Sequence, residues 1–254
     1  MSLVILKIGG SVITDKDSIS TARKDEIIRI SQEIASFRAN SSDGFLLVHG
    51  AGSFGHPQAM KWIKEGFDAK GVYLTHASVK VLNSIVMESL NNAGVIALPV
   101  HPLSSCLLEN GNIIELQVEK IRIMLDRGIV PVLHGDVVMD RTKGAAVLSG
   151  DRIIPYLAAA LNASKIGAGS NVEGVLDEKG TLIKKITPLN FIDVKKQISS
   201  SVSTDVTGGM LGKVSELLEL AKNGTSSRIF NALKKGMVSK FLYGEDVGTL
   251  ISDK

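Results

Sequence analysis

The sequence predicts an α/β protein: a three-layer α/β/α sandwich with a mostly parallel central sheet and a β-hairpin over the substrate site. Three observations predict it. Short apolar runs alternate with stretches of helical periodicity along most of the chain, which is how parallel sheets flanked by helices read. Two of the apolar runs end directly in glycine-rich turns, at Gly9-Gly10 and at Gly50–Gly55. A third feature, the stretch 137–147 with Asp140-Arg141-Thr142-Lys143-Gly144 at its centre, reads as a hairpin over the carboxyl edge, where such sheets bind ligands.

The elements follow in order. Residues 3–8 (LVILKI) form the first strand, ending at Gly9-Gly10-Ser11. Residues 12–22, mostly polar and carrying Lys16, read as a loop. A helix over 23–37 places Ile27, Ile28, Ile30 and Ile34 on one face. After the turn Ser41-Ser42-Asp43-Gly44 comes the strand 45–48 and then His49-Gly50-Ala51-Gly52-Ser53-Phe54-Gly55-His56. Pro57 and the break 66–71 precede a helix over 72–92, with Val79, Leu82, Val86 and Leu90 at helical spacing. Strands are expected at 94–98, closed by Pro99, and at 129–134, after a helix over 116–127 capped by Gly128. Ser149-Gly150-Asp151 opens a helix over 152–161 with Asp151 as its cap. The strand 165–168 runs into Gly169-Ser170-Asn171-Val172-Glu173-Gly174-Val175. Asp205-Val206-Thr207-Gly208-Gly209-Met210 precedes a helix over 211–222. A strand at 228–231 and an edge strand around 249–252 finish the sheet.

A chain of 254 residues with 44% hydrophobic and 22% charged residues can bury a substantial core as one domain over 1–254, any two-lobed division falling near Asp151. A net charge of +3, 4% aromatics and no dense basic block argue against nucleic acid as a partner. No apolar run has the roughly 18 to 20 residues of a membrane span, and the chain enters a strand at once instead of a signal sequence, so a cytoplasmic protein with no membrane partner is expected. Cys106, the single cysteine, reads as a small core residue. The P-loop, H-E-x-x-H, C-x-x-C and G-x-S-x-G patterns are absent, and no residue is assigned as a metal ligand.

Backbone freed of side chains at two strand ends suits close approach to anions, and two such turns side by side could hold two phosphates facing each other. Phosphoryl transfer needs cations and N–H donors around a group carrying charge on three oxygens. Lys7 stands inside an apolar strand one residue before the glycines, a costly place for a charge without an anionic partner; the alternative is a lysine snorkelling from a sheet edge. Lys16 reads by pattern alone as a solvated surface lysine. Lys213 lies in the first turn of a helix, where a cation opposes the helix dipole and is better explained by a shared phosphate. Asp151 is either a plain cap or a carboxylate that holds the lysines. Gly50-Ala51-Gly52-Ser53-Phe54-Gly55 also fits G-x-G-x-x-G, so a dinucleotide site competes.

Lys7-Ile8-Gly9-Gly10-Ser11, the run 49–56, Ser149-Gly150-Asp151, and the run 205–210 with Lys213, taken together and in order, resemble the amino acid kinase superfamily, and within it archaeal isopentenyl phosphate kinases. The resemblance implies ATP-dependent phosphorylation of isopentenyl phosphate to isopentenyl diphosphate, with ATP and Mg²⁺ as cofactors. It implies catalytic roles for Lys7, Lys16, His56, Asp151 and Lys213. The nucleotide would be held by Lys7, Ile8, Gly9, Gly10, Ser11, Gly52, Ser170, Asn171, Gly174, Gly209 and Lys213. The acceptor would meet Gly50, Ala51, Gly52, Gly55, His56 and Gly150, its tail lying against Val79 and Leu82, with Val72 and Val86 as further candidates. Roughly 1–150 would then be the acceptor-binding lobe and 151–254 the nucleotide-binding lobe, sharing one sheet, and the chain would pair as a homodimer. Where the family usually reads threonine-aspartate-valine-aspartate-glycine-valine, this chain has Ser170-Asn171-Val172-Glu173-Gly174-Val175, which removes the first carboxylate and bears on nucleotide preference.

Three rivals stay open at this level. A kinase of the same superfamily could act on another small phosphate, phosphonate or carboxylate. A dinucleotide oxidoreductase needs a carboxylate capping a second strand about 20 residues on, whereas Glu65 and Asp68 come early and in a loop. A non-catalytic nucleotide sensor would be expected to lose the lysines that this chain keeps.

Overall fold

The computed structural model describes residues 2–55, 59, 66–199 and 209–254. Its strands are β1 (Leu3–Ile8), β2 (Gly44–His49), β3 (Ala97–Pro99), β4 (Cys106–Glu109), β5 (Asn112–Leu116), β6 (Val130–His134), β7 (Asp136–Asp140), β8 (Gly144–Leu148), β9 (Lys165–Ser170), β10 (Lys185–Ile186), β11 (Ser226–Asn231) and β12 (Thr249–Ile251). The helices are α1 (Gly10–Ile13), α2 (Lys24–Asn40), α3 (Ala69–Asn92), α4 (Pro102–Ser105), α5 (Val118–Asp126), α6 (Gly150–Leu161), α7 (Phe191–Ser199), α8 (Gly209–Lys222) and α9 (Met237–Leu242).

One eight-stranded sheet runs through the molecule in the order β10-β12-β11-β9-β1-β2-β6-β3. The six strands from β11 to β3 are parallel, and β12 with β10, parallel to each other, run opposite to them. The expected mostly parallel α/β sheet is therefore present, but β12 is covered by β10 and is not the edge.

Strand alternation assigns each side chain of β1 to a layer. Leu3 and Ile5 join one core with α5, α6 and α8 through Ile121, Ile153, Leu157 and Leu217. Val4, Leu6 and Ile8 join the other core with α2, α3 and α9 through Ile34, Leu82 and Phe241. Each such side chain, fully buried, contributes about 1.5–3 kcal/mol of hydrophobic stabilisation. By the same alternation Lys7 falls on the α6 side of the sheet, and His49, at the end of β2, falls on the α3 side with Phe45 and Leu47.

Several expectations need correction. The expected loop 12–22 begins two residues late: Val12 and Ile13 are buried in α1, which spans Gly10–Ile13. On α2, Ile27, Ile30, Ile34 and Phe37 are buried, while Ile28 is 48% exposed because it turns one step off that stripe. Leu116 ends β5 and is not the start of a helix, which runs from Val118. The hairpin β7–β8 is real but belongs to a second, four-stranded sheet, β5-β4-β7-β8, whose other half the sequence reading missed. Cys106 is buried in β4, and burial first, then the nearby Glu115, push its thiol up to about 11. No helix among the described residues is long and apolar enough to cross a membrane.

Candidate active site

The two glycine turns meet. β1 and β2 pair in register to Ile8 and His49, and the Gly50 N–H donates to the Ile8 carbonyl at 2.9 Å. A Cβ at Gly10 would lie 2.5 Å from Gly52 N and Cα, and one at Gly50 only 2.4 Å from Gly10 N. Backbone here touches backbone, so any side chain would force the turns apart. Gly52 also has φ +51°, and a Cβ there would meet Thr14 Oγ1 at 2.1 Å. The hydroxyl of Thr14 accepts from the Ser53 N–H at 3.1 Å and donates to the Gly10 carbonyl at 2.8 Å, tying one turn to the other. From the far side, the hydrogen-bearing face of Gly135 looks at Ala51 N and Gly150 N, which lie 3.5 and 3.6 Å from where its Cβ would stand. Among the described residues the amides of Gly10, Ala51 and Gly150 donate to no protein acceptor. Unpaired amides at two strand ends and the N-terminus of α6 form a cradle for anions.

The cations lie at the same edge. Lys7 is 5% exposed, and its ammonium donates to both oxygens of Asp151, at 2.9 and 3.1 Å. Lys213 Nζ stands 3.9 Å from the same carboxylate. Asp151 is thus not the helix cap: Ser149 holds that position, and Asp151 sits in the first turn of α6. Burial works against its charge, but the ammonium groups of Lys7 and then Lys213 outweigh that and hold its carboxyl below the usual range. Residues separated by 144 positions in the chain are therefore one charged unit.

The remaining predicted residues are placed as follows. Ile8 is buried in β1, Gly9 donates to the Gly169 carbonyl at 2.8 Å, and Ser11 is half-buried in α1. Gly55 is buried directly after the second turn, beside Val79, whose Cγ2 would be 3.4 Å from a Cβ at Gly55. Lys16 is exposed on the loop after α1 and makes no ion pair among the described residues, so the structure does not join it to the other lysines. His56 and the stretch 205–208 lie outside the described residues, and Gly209 opens α8. Leu82, expected against the acceptor's tail, is fully buried, as Val79 is, and packs with Val86 in the core shared by α2, α3 and α9. Val72 belongs to a small apolar group with Val137, Ala145 and Val147 of the hairpin.

On the nucleotide side Ser170 is buried at the end of β9, Asn171 is exposed, and Gly174 is buried with φ +156°. Glu173 accepts from Asn231 Nδ2 at 3.0 Å and Lys234 Nζ at 2.9 Å, contacts that lower its pKa. This carboxylate ties the loop after β9 to the loop after β11.

The sequence reading missed two features. Glu216, on α8, has one carboxylate oxygen buried without a partner, and burial first, then the nearby Asp151, raise its pKa. The second is a buried group of histidines behind the cradle. Its signal was present: two apolar strands, at 45–48 and 130–133, both end in His-Gly.

The chain is 42% identical over 253 residues to an isopentenyl phosphate kinase of Haloferax volcanii, covering 99% of each chain. It is 37% identical over 268 residues to the isopentenyl phosphate kinase of Methanothermobacter thermautotrophicus, covering 99% of this chain and 100% of that one. A solved isopentenyl phosphate kinase structure matches with a TM-score of 0.84 at 34% identity, over 98% of this chain and 100% of that one. The Amino acid kinase family profile matches residues 2–231, and the chain belongs to that family.

Proposed function

We propose that this protein is a kinase that transfers the γ-phosphoryl group of ATP to isopentenyl phosphate, giving isopentenyl diphosphate and ADP. A phosphate oxygen of the acceptor forms the new P–O bond while the bond between the γ-phosphorus and the bridging oxygen breaks, leaving the electron pair on ADP. The acceptor arrives already deprotonated, so no strong base is needed, and the protein's task is to hold two anions in line and offset their repulsion. The observation that carries the reading is the meeting of the two glycine turns beside the Lys7–Asp151–Lys213 unit. Two full-length relatives bearing that activity in their names support the choice of acceptor.

In this reading the amides of Ala51 and Gly150, with His56, hold the acceptor phosphate, and Gly9, Gly10, Ser11 and Gly52 approach the transferring group. Lys7 and Lys213 stabilise its charge, oriented by Asp151, and Lys16 reaches it from its loop when substrates are bound. Ser170, Asn171, Gly174 and Gly209 line the nucleotide. Val79 supports the acceptor's tail, with Val72 further along α3. Mg²⁺ fits as an ion carried by the nucleotide's own phosphates: no group of three ligating side chains occurs among the described residues, and both oxygens of Asp151 are taken by Lys7. When bound it would offset charge on the phosphate oxygens.

The cradle ends at Gly150, and α3 and the hairpin precede it, whereas Lys213 and the loop 170–174 follow it. This supports an acceptor lobe over roughly 1–150 and a nucleotide lobe over 151–254 on one shared sheet. A homodimer through the β3 edge is supported by the exposed apolar residues Val81, Ile96 and Leu98. ATP and small phosphate esters are cytoplasmic solutes, which is the ground for placing the enzyme in that compartment.

The test is ADP release with ATP, Mg²⁺ and a panel of isopentenyl phosphate, other phosphate monoesters, a phosphonate and N-acetylglutamate. Isopentenyl phosphate is expected to give the highest kcat/KM, and His56→Ala to raise the KM for the acceptor with little change for ATP. Preference for another panel member would assign a different acceptor, and no turnover of any would sink the kinase reading.

A further inference from the structure

Four of the five histidines, His49, His76, His101 and His134, converge with Asp136 and Asn83 between α3 and the strand ends. His49 and His134 end the adjacent strands β2 and β6, pair in register, and stack with ring centroids 5.5 Å apart. The Nδ1 of His134 lies 3.1 Å from the Gly135 carbonyl, which can only accept, so Nδ1 bears the proton. Its Nε2 then accepts from His101 Nδ1–H at 2.9 Å. Asp136, with no side-chain exposure, accepts from His76 Nδ1–H at 2.9 Å and from the Val137 N–H at 2.8 Å. His49 Nε2 lies 3.0 Å from Asn83 Oδ1.

His76 and Asn83 stand seven residues apart on α3, two turns along one face, with Val79 between them. That face is therefore tied at two points. One is His49, immediately before the cradle turn Gly50-Ala51. The other is Asp136, immediately after Gly135, which faces the Ala51 and Gly150 amides, and at the first residue of the hairpin strand β7. No charged side chain of the phosphate-binding set takes part.

We infer that His76 and Asp136 form a positioning clasp that fixes α3 and the hairpin against the strand ends carrying the acceptor cradle, and so sets affinity for the acceptor without touching it. The inference rests on the phosphate-acceptor reading above for its kinetic consequence only. A loosened clasp misplaces the Ala51 and Gly150 amides and the α3 wall, whereas the nucleotide side keeps its own ties through Glu173, Asn231 and Lys234.

Three variants test it. His76→Leu removes the donor, His76→Asn places an amide N–H where Nδ1–H stood, and Asp136→Asn keeps the shape of the buried group while replacing one acceptor oxygen with a donor. His76→Leu is expected to raise the acceptor KM about tenfold and leave the ATP KM within about twofold, with His76→Asn restoring the wild-type value. Asp136→Asn shows the same split and serves if His76→Leu does not fold. Amide hydrogen exchange is expected to quicken at 49–55 and 136–148 in the broken variants and not at 165–175. The clasp is overturned if both KM values rise together, if neither changes, or if exchange quickens everywhere alike. Should the wild type turn over some acceptor other than isopentenyl phosphate, the acceptor assignment fails while that acceptor and the exchange pattern still decide the clasp.

Discussion

At the scale of single residues, what distinguishes this chain is the number of ionisable groups it buries and how each is kept tolerable. Lys7 is held by a carboxylate; His49, His101 and His134 are held by staying neutral. Burial lowers the pKa of His49, His101 and His134 below 6.5. Because their unfolded pKa lies above the folded one, the unfolded chain binds more protons as the pH falls past about 6.5. Their contribution to stability is therefore complete above that pH and declines as the pH drops from 6.5 toward the folded values. Urea unfolding at pH 7.5, 6.5 and 5.5 should show the midpoint falling across the last interval, and His134→Asn should flatten that fall. A midpoint unchanged down to pH 5.5 would show that these rings are not buried neutral.

At the scale of elements, the β1 and β2 turns touch backbone to backbone, a contact built from missing side chains. Gly10→Ala adds one methyl group where backbone atoms of Gly52 lie at 2.5 Å. Overpacking of this kind costs about 1–3 kcal/mol, and the displacement it causes falls where the two glycine turns meet. The expected outcome is a kcat/KM loss of about a hundredfold or more in a protein that still folds, measured by steady-state kinetics beside a thermal melt. A variant with near wild-type kcat/KM would show that the turns can separate without harm, against the geometry described here.

At the scale of the whole molecule, both faces of the sheet are covered by helices, and at one margin the three-residue strand β3 ends the sheet beside α3 with exposed apolar side chains next to it. Ile96 is 70% and Leu98 48% exposed there, and a groove between β3 and α3 is lined by Lys80, Ser84, Met87 and Leu98. An unprotected edge strand of this character invites pairing. Light scattering is expected to give twice the 27.0 kDa of one chain, and Ile96→Lys with Leu98→Lys to return it to one. A wild-type mass of one chain would remove the homodimer.

The parallel sheet and the glycine turns were legible because each is a local pattern, an apolar run or a residue with no Cβ, and Lys7 stood out as a charge placed inside a strand, whereas Lys16 carried no such mark. The misread parts depend on alignment between distant segments. Asp151 stayed open between a cap and a partner of the lysines until the fold set Lys7 against it, and only the rotation of α3 placed Leu82 in the core. The four-stranded second sheet needed β4 to meet β7, and the histidine group needed β2 and β6 to end level, at His49 and His134. By itself the sequence determined which elements form and which residues carry charge or lack a side chain. Only the tertiary structure decided which of them share a site, because strand register and helix rotation set those distances and neither is a property of any one segment.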